Sequence, residues 1–133
     1  MIIDASVAVP WLVETPFSET AKRLRSAECA APDLLLMETT NALLKYHRIG
    51  QISLDGILAG AQALKVAVSK FVPDNQLLPS ATKIAADNTH KIYDCMYLAL
   101  ALERNQPLAT ADKRLAAIAK SLSIKTLLIE PIS

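Results

Sequence analysis

Histidine and cysteine are scarce in this chain. His47 and His90 are the two histidines and Cys29 and Cys95 the two cysteines, and none of them has the spacing of metal ligands. A zinc site is therefore not expected. Both cysteines stand among apolar or small residues, which reads as buried, reduced thiol. Charge of one sign is lacking too. Lys and Arg number 14 against 13 for Asp and Glu, a net charge of +1, so no overall basic field draws the chain to nucleic acid. The small cluster Lys22-Arg23-Arg25 reads as the solvated face of a helix. No apolar run approaches the roughly 20 residues that cross a bilayer. The first stretch, "MIIDASVAVPWLV", has no basic start and carries Asp4 inside it, which argues against a signal peptide. A cytoplasmic protein is expected, with no membrane partner. Repeats, linkers and low-complexity tracts are also missing, so residues 1–133 are expected to form a single domain, and 52% apolar residues can furnish its core.

What is present is an alternation of short apolar runs with longer helical patterns. "MIID", "PLAT" and "KTLLIE" read as buried strands, and "FVPDNQLL" holds another. Between them, "SVAVPWLVE" reads as a short helix capped by Ser6 and limited by Pro10, and "SETAKRLRSA" as a helix from Ser18. Pro32 is expected to open a helix of about five turns that ends at Gly50. Ser53 caps the next helix, weakened slightly by Gly56 and Gly60. Another helix is expected to begin near Pro79 and Ser80. "YDCMYLALALERN" is almost wholly apolar after Asp94 and reads as a buried central helix, and "DKRLAAIAKSL" as the last one. Strands separated by helices imply a parallel sheet covered on both faces.

Four acids stand out against this pattern. Asp4 closes the first strand, and Asp112 follows the strand 107–110. In an open parallel sheet, ligands bind beyond the carboxyl ends of the strands, so two strand ends deliver acids to one rim if those strands are neighbours. Asp94 begins the most apolar helix. Glu38 lies inside an apolar helix, where an ionised carboxylate is costly unless paired or bound to a cation, and Asn41 follows three residues later on the same face. Each acid taken singly has an ordinary reading as a turn residue, a helix cap or a solvent-edge side chain. In "LATADKRL" the ordinary reading of Thr110 and Asp112 is capping. Basic residues near the four are few: Lys45, Lys91, Lys113 and Arg114. Clustered carboxylates without basic partners favour a cation, and all-oxygen ligation favours Mg²⁺ or Mn²⁺.

The stretches "MIIDASVAVPWL", "METTNALL", "IYDCMYLALA" and "LATADKRL", in this order over nearly the whole chain, resemble the four acidic motifs of the PIN-domain ribonucleases. More narrowly they resemble the VapC-type toxins of toxin–antitoxin pairs. The resemblance implies a PIN-like three-layer α/β sandwich with a central parallel sheet of about five short strands flanked by helices. It implies that Asp4, Glu38, Asp94 and Asp112 form a catalytic, metal-binding quartet. Ser6 and Thr110 would support the ligands or a bound water, and Asn41 would orient Glu38 or the substrate. It implies a metal-dependent endoribonuclease using one or two Mg²⁺ or Mn²⁺ ions, a homodimer, and a cognate VapB-type antitoxin whose helical segment fills an apolar groove.

Net charge is +1 with the four acids counted and +5 without their four negative charges, so RNA binding should depend on metal. Lys91, Lys113 and Arg114 are candidates for phosphate contacts. Trp11, Tyr93 and Tyr97 read as core residues before they read as base-stacking platforms. Two other readings stay open: a non-catalytic PIN-like binding module, and another Mg-dependent phosphoryl-transfer α/β protein. A mean hydropathy of +0.28 is high for a short chain and points to apolar interfaces, with "SLDGILAGAQALKVAVSKF" as one source.

Overall fold

A computed structural model describes residues 1–132. Five short parallel strands form one sheet: β1 (Ile2–Ile3), β2 (Ala30–Pro32), β3 (Lys70–Val72), β4 (Leu108–Thr110) and β5 (Thr126–Leu128). Their order is β3-β2-β1-β4-β5. The chain starts in the middle, moves out to one edge, and then crosses back to the other side of β1. The pair β1/β4 is thus the place where strand order reverses, and crevices for ligands open at such points. The register sets Ile2 beside Leu108 and Ile3 beside Ala109, so Asp4 and Thr110 leave the sheet side by side.

Helices α1 (Ala5–Leu12), α2 (Ser18–Lys22), α3 (Leu34–Arg48), α4 (Leu54–Ala67), α5 (Asp74–Asn88), α6 (Ile92–Arg104) and α7 (Lys113–Ser121) cover the sheet in a three-layer α/β sandwich. The run from Cys95 to Ala101 in α6 is buried without a break, as an apolar helix covered on all sides must be. It lies on β1, β2 and β4 and packs along α5, while α1 lies on β1 and β4. Cys29 and Cys95 are free buried thiols, as expected. Lys22 and Arg23 pair with Glu14 and Glu19, and Arg25 stands 5.8 Å over the ring of Trp11.

Several local expectations are corrected. The cap of α1 is Asp4, not Ser6: its extended backbone suits a cap, and its carboxylate accepts the N–H of Ser6, already in the first turn. Pro32 does not open a helix; it ends β2. Ala30 gives its N–H to Met1 O on the β1 side, and two residues later Pro32 has none to give, so pairing with the short β1 stops there. The helix expected near Pro79 begins earlier, at Asp74, and Pro79 sits inside it. The lost backbone bond is outweighed by the buried stripe Leu77, Ala81 and Ile84 against α6. Ser53 does cap α4, accepting the N–H of Gly56 at 3.0 Å.

Candidate active site

Two hydroxyls build the centre of the site. Ser6 Oγ donates to Asp4 Oδ1 at 2.5 Å and accepts the N–H of Ala111 at 2.7 Å. Thr110 Oγ1 donates to Asp4 Oδ2 at 2.6 Å and accepts the N–H of Asp112 at 3.0 Å. Each hydroxyl has one proton, and each gives it to Asp4. Both carboxylate oxygens of Asp4 are therefore held, and the turn after β1 is tied to the turn after β4. Asp4 is 7% exposed. Burial is the main force raising its pKa to about 6; the Ser6 and Thr110 bonds oppose that rise, and the charges of Asp94 and Asp112 add to it.

The other three acids are held differently. Asp112 Oδ1 accepts the N–H groups of Arg114 and Leu115 and caps α7. Glu38 Oε1 accepts the phenolic proton of Tyr97 at 2.6 Å. Asp94 Oδ2 lies 2.7 Å from Nε2 of His90. Among the described residues, the second oxygen of each of these three acids, Asp112 Oδ2, Glu38 Oε2 and Asp94 Oδ1, makes no hydrogen bond within the chain. Glu38 is pushed above the usual carboxylate range by burial first, with Asp94 and Asp74 adding to the rise and Tyr97 and Lys91 opposing it. Among the described residues, no lysine or arginine forms an ion pair with any of the four acids.

The charges of Asp94 and Asp112 are near enough to raise the proton affinity of Asp4, and that of Asp94 to raise the proton affinity of Glu38. Among the described residues, however, no three His, Cys, Asp or Glu side chains are gathered into a set that could hold a metal ion as they stand. The donor chemistry still fits a hard divalent cation. The donors are all carboxylate oxygens, three acids each keep one oxygen uncommitted, and Asp4 is a buried acid surrounded by like charge. Asn41 is exposed and makes no hydrogen bond to Glu38; it lines a groove of about 500 Å³ with Leu34, Met37, Glu38 and Tyr93. Tyr93 is 59% exposed, against the expectation of a core residue, because it precedes Asp94 on the open side of α6, whereas Trp11 and Tyr97 are buried as expected.

The sequence profile of the PIN domain matches residues 1–121. The chain belongs to the PIN-domain family. Ribonuclease VapC1 of Mycobacterium tuberculosis is 31% identical to this PIN domain over 118 residues, which are 87% of this chain and 88% of that protein. The fold is shared with proteins of solved structure. One from Pyrobaculum aerophilum has a TM-score of 0.73 at 20% identity, covering 95% of this chain and 82% of that one. VapC20 of Mycobacterium tuberculosis, described as a toxin that cleaves the sarcin–ricin loop, has a TM-score of 0.70 at 17% identity over 87% of this chain and 92% of its own. A toxin–antitoxin complex from Klebsiella pneumoniae reaches 0.62 at 17% identity over 87% of this chain and 89% of that chain.

Three residues of this PIN domain escaped sequence reasoning. Tyr97 reads from the sequence as a core residue first and a base-stacking platform second, yet its hydroxyl crosses from α6 to Glu38 on α3, and burial and the Glu38 charge hold its proton more tightly than in free tyrosine. Asp74, at the start of α5, accepts the N–H of Leu34 at 3.1 Å and so caps α3, the helix that carries Glu38, from 40 residues away. His90 was considered only as a zinc ligand. Its spacing of four from Asp94 was the available signal, but that spacing implies contact only within a helix, and His90 precedes α6.

Proposed function

We propose that this PIN domain is a metal-dependent endoribonuclease and the toxin of a type II toxin–antitoxin pair, acting in the cytoplasm. The observation that carries the reading is a set of four acids in which Asp94 repels Asp4 and Glu38 and Asp112 repels Asp4, free of lysine and arginine ion pairs among the described residues, in a chain 31% identical to a ribonuclease. Asp4, Glu38, Asp94 and Asp112 would hold one or two Mg²⁺ or Mn²⁺ ions. Such a cation supplies a water of lowered pKa and neutralises charge on the scissile phosphate.

The chain's own residues prepare the site. Ser6 and Thr110 lock the Asp4 carboxylate, and Tyr97 stabilises the ionised form of Glu38. Asn41 and Tyr93 face the groove beside Glu38, where an RNA strand would lie, and the exposed Lys91, Lys113 and Arg114 would meet phosphates. Leu54, Leu58 and Val66 leave apolar surface exposed on α4, which suits a homodimer contact or the helix of a VapB-type antitoxin.

The test is cleavage of cellular RNA by purified protein with and without Mn²⁺, beside Asp94→Asn. The wild type should cut only with metal. Asp94→Asn should lose cutting and toxicity in cells while its circular dichroism stays unchanged. Cutting by Asp94→Asn at the wild-type rate would exclude the quartet, and a metal-bound protein that never cuts would favour a binding module. Sequencing RNA 5′ ends after brief expression would then identify the target.

A further inference from the structure

We propose that His90 is a positioning residue that aims Asp94: its Nε2–H holds Oδ2, so that Oδ1 is presented to the cation. This rests on the nuclease reading above.

The local chain explains how the ring gets there. Helix α5 ends with Thr89 in the left-handed region at φ 48°, and the N–H of His90 turns back to Ala85 O at 3.1 Å. That turn reverses the chain between two closely packed helices and sets His90 one residue before Lys91, the cap of α6. Lys91 offers no side-chain cap. Asp94, three residues on, stands where an acid commonly folds back onto the free N–H groups of its own helix. Here, among the described residues, its carboxylate makes no bond to the backbone. Its one partner among the described residues is the His90 ring, whose side chain is 4% exposed while that of Asp94 is 22% exposed. A carboxylate only accepts, so the proton between them is on Nε2. The acid is thus turned out of the capping position and pinned by one oxygen, and the other is left uncommitted. Partners that orient a metal ligand in this way commonly change metal affinity 10–100-fold when removed.

Two variants separate aiming from packing. His90→Phe fills the ring's space without an N–H, and His90→Gln keeps an N–H donor on a differently shaped side chain. Mn²⁺ affinity is read from the free-ion electron paramagnetic resonance signal, with thermal melting of each metal-free variant alongside. Aiming predicts that His90→Phe weakens Mn²⁺ binding about 10–100-fold and that His90→Gln recovers most of it. A space-filling role predicts the reverse order, and that result would overturn the proposal.

A third measurement needs no variant. In ¹⁵N-labelled wild type, long-range correlation spectra of the imidazoles should show His90 protonated on Nε2 and displaced by added Mg²⁺. His47, whose Nδ1 contacts Ile52 O at 2.7 Å far along α3, is the internal reference. A His90 ring without a proton on Nε2, or one that ignores Mg²⁺, sinks the idea. A wild type that binds Mn²⁺ and cuts RNA while His90→Phe matches its affinity defeats this inference alone; a wild type that binds no Mn²⁺ defeats both readings.

Discussion

Thr110 gives its hydroxyl proton to Asp4, 106 residues earlier in the chain, at 2.6 Å. With the same oxygen it accepts the N–H of Asp112. One side chain therefore fixes two acids of the site, and it can do so because β1 and β4 are neighbours in register.

Thr110→Val keeps the shape of a strand residue that is 0% exposed and removes both bonds. Asp4 then loses a donor in a buried place, and the Asp112 amide loses its acceptor. Destabilisation of roughly 1–3 kcal/mol is expected by urea denaturation at pH 7.5. A change no larger than that of an exposed Thr→Val control would show that the bond does not bear on the ionised Asp4.

The pKa of Asp4 is raised from 3.8 to about 6, so the folded state binds its proton more tightly than the unfolded state does. The stabilisation from protonated Asp4 is fully present below 3.8 and is lost as pH rises through about 6. Without metal, the wild type should lose on the order of 3 kcal/mol across that window relative to Asp4→Asn, which has no proton to lose there. Parallel stability curves for the two proteins from pH 4 to 7 would contradict this.

Metal should reverse the repulsion. Millimolar Mn²⁺ or Mg²⁺ is expected to raise the melting temperature of the wild type, by about 2.7 kcal/mol of stability at a hundred times the dissociation constant. Asp4→Asn combined with Asp112→Asn should melt higher than the wild type without metal and show no response to it. Asn still serves as a helix cap, so α7 keeps its start. Scanning calorimetry with and without the cation decides the point.

Tyr97→Phe removes the hydrogen bond that, alone among the described residues, favours ionised Glu38. The Glu38 carboxyl should then protonate at still higher pH. The acid limb of the kcat/KM profile is expected to move toward neutral pH, with little change at pH 8.5. A loss that is uniform across pH would point to packing instead.

Periodicity made much of the frame legible. Helix α6 declared itself by a run too apolar for any exposed face, and Ser53 and Asp112 declared caps by standing just before helical patterns. Strand β2 did not declare itself. Ala30–Pro32 is three residues long, and a proline beside "DLLLMETT" is as good a signal for a helix start as for a strand end. Pro79 misled for a related reason: local preference marked a boundary there, and burial of Leu77 and Ala81 against α6 overrode it.

The four acids were visible in the sequence only together: each alone reads as a turn residue, a cap or a solvent-edge side chain, but acids at two strand ends, at the start of an apolar helix and inside another, in the order of the PIN motifs, do not. Of their holders, Ser6 and Thr110 were named as supports only through the family resemblance, and how each holder reaches its acid was not visible. Ser6 and Thr110 meet across a strand pair, Tyr97 reaches Glu38 over a helix crossing, and Asp74 caps α3 from the start of α5. His90 meets Asp94 only because a left-handed turn at Thr89 folds it back. The sequence determined which residues carry charge and which segments must be buried, since both follow from side-chain chemistry and spacing. Only the tertiary structure decided which oxygen of each acid is occupied and which is left open, because a hydrogen bond depends on a separation of about 3 Å between atoms that the chain brings together only by folding.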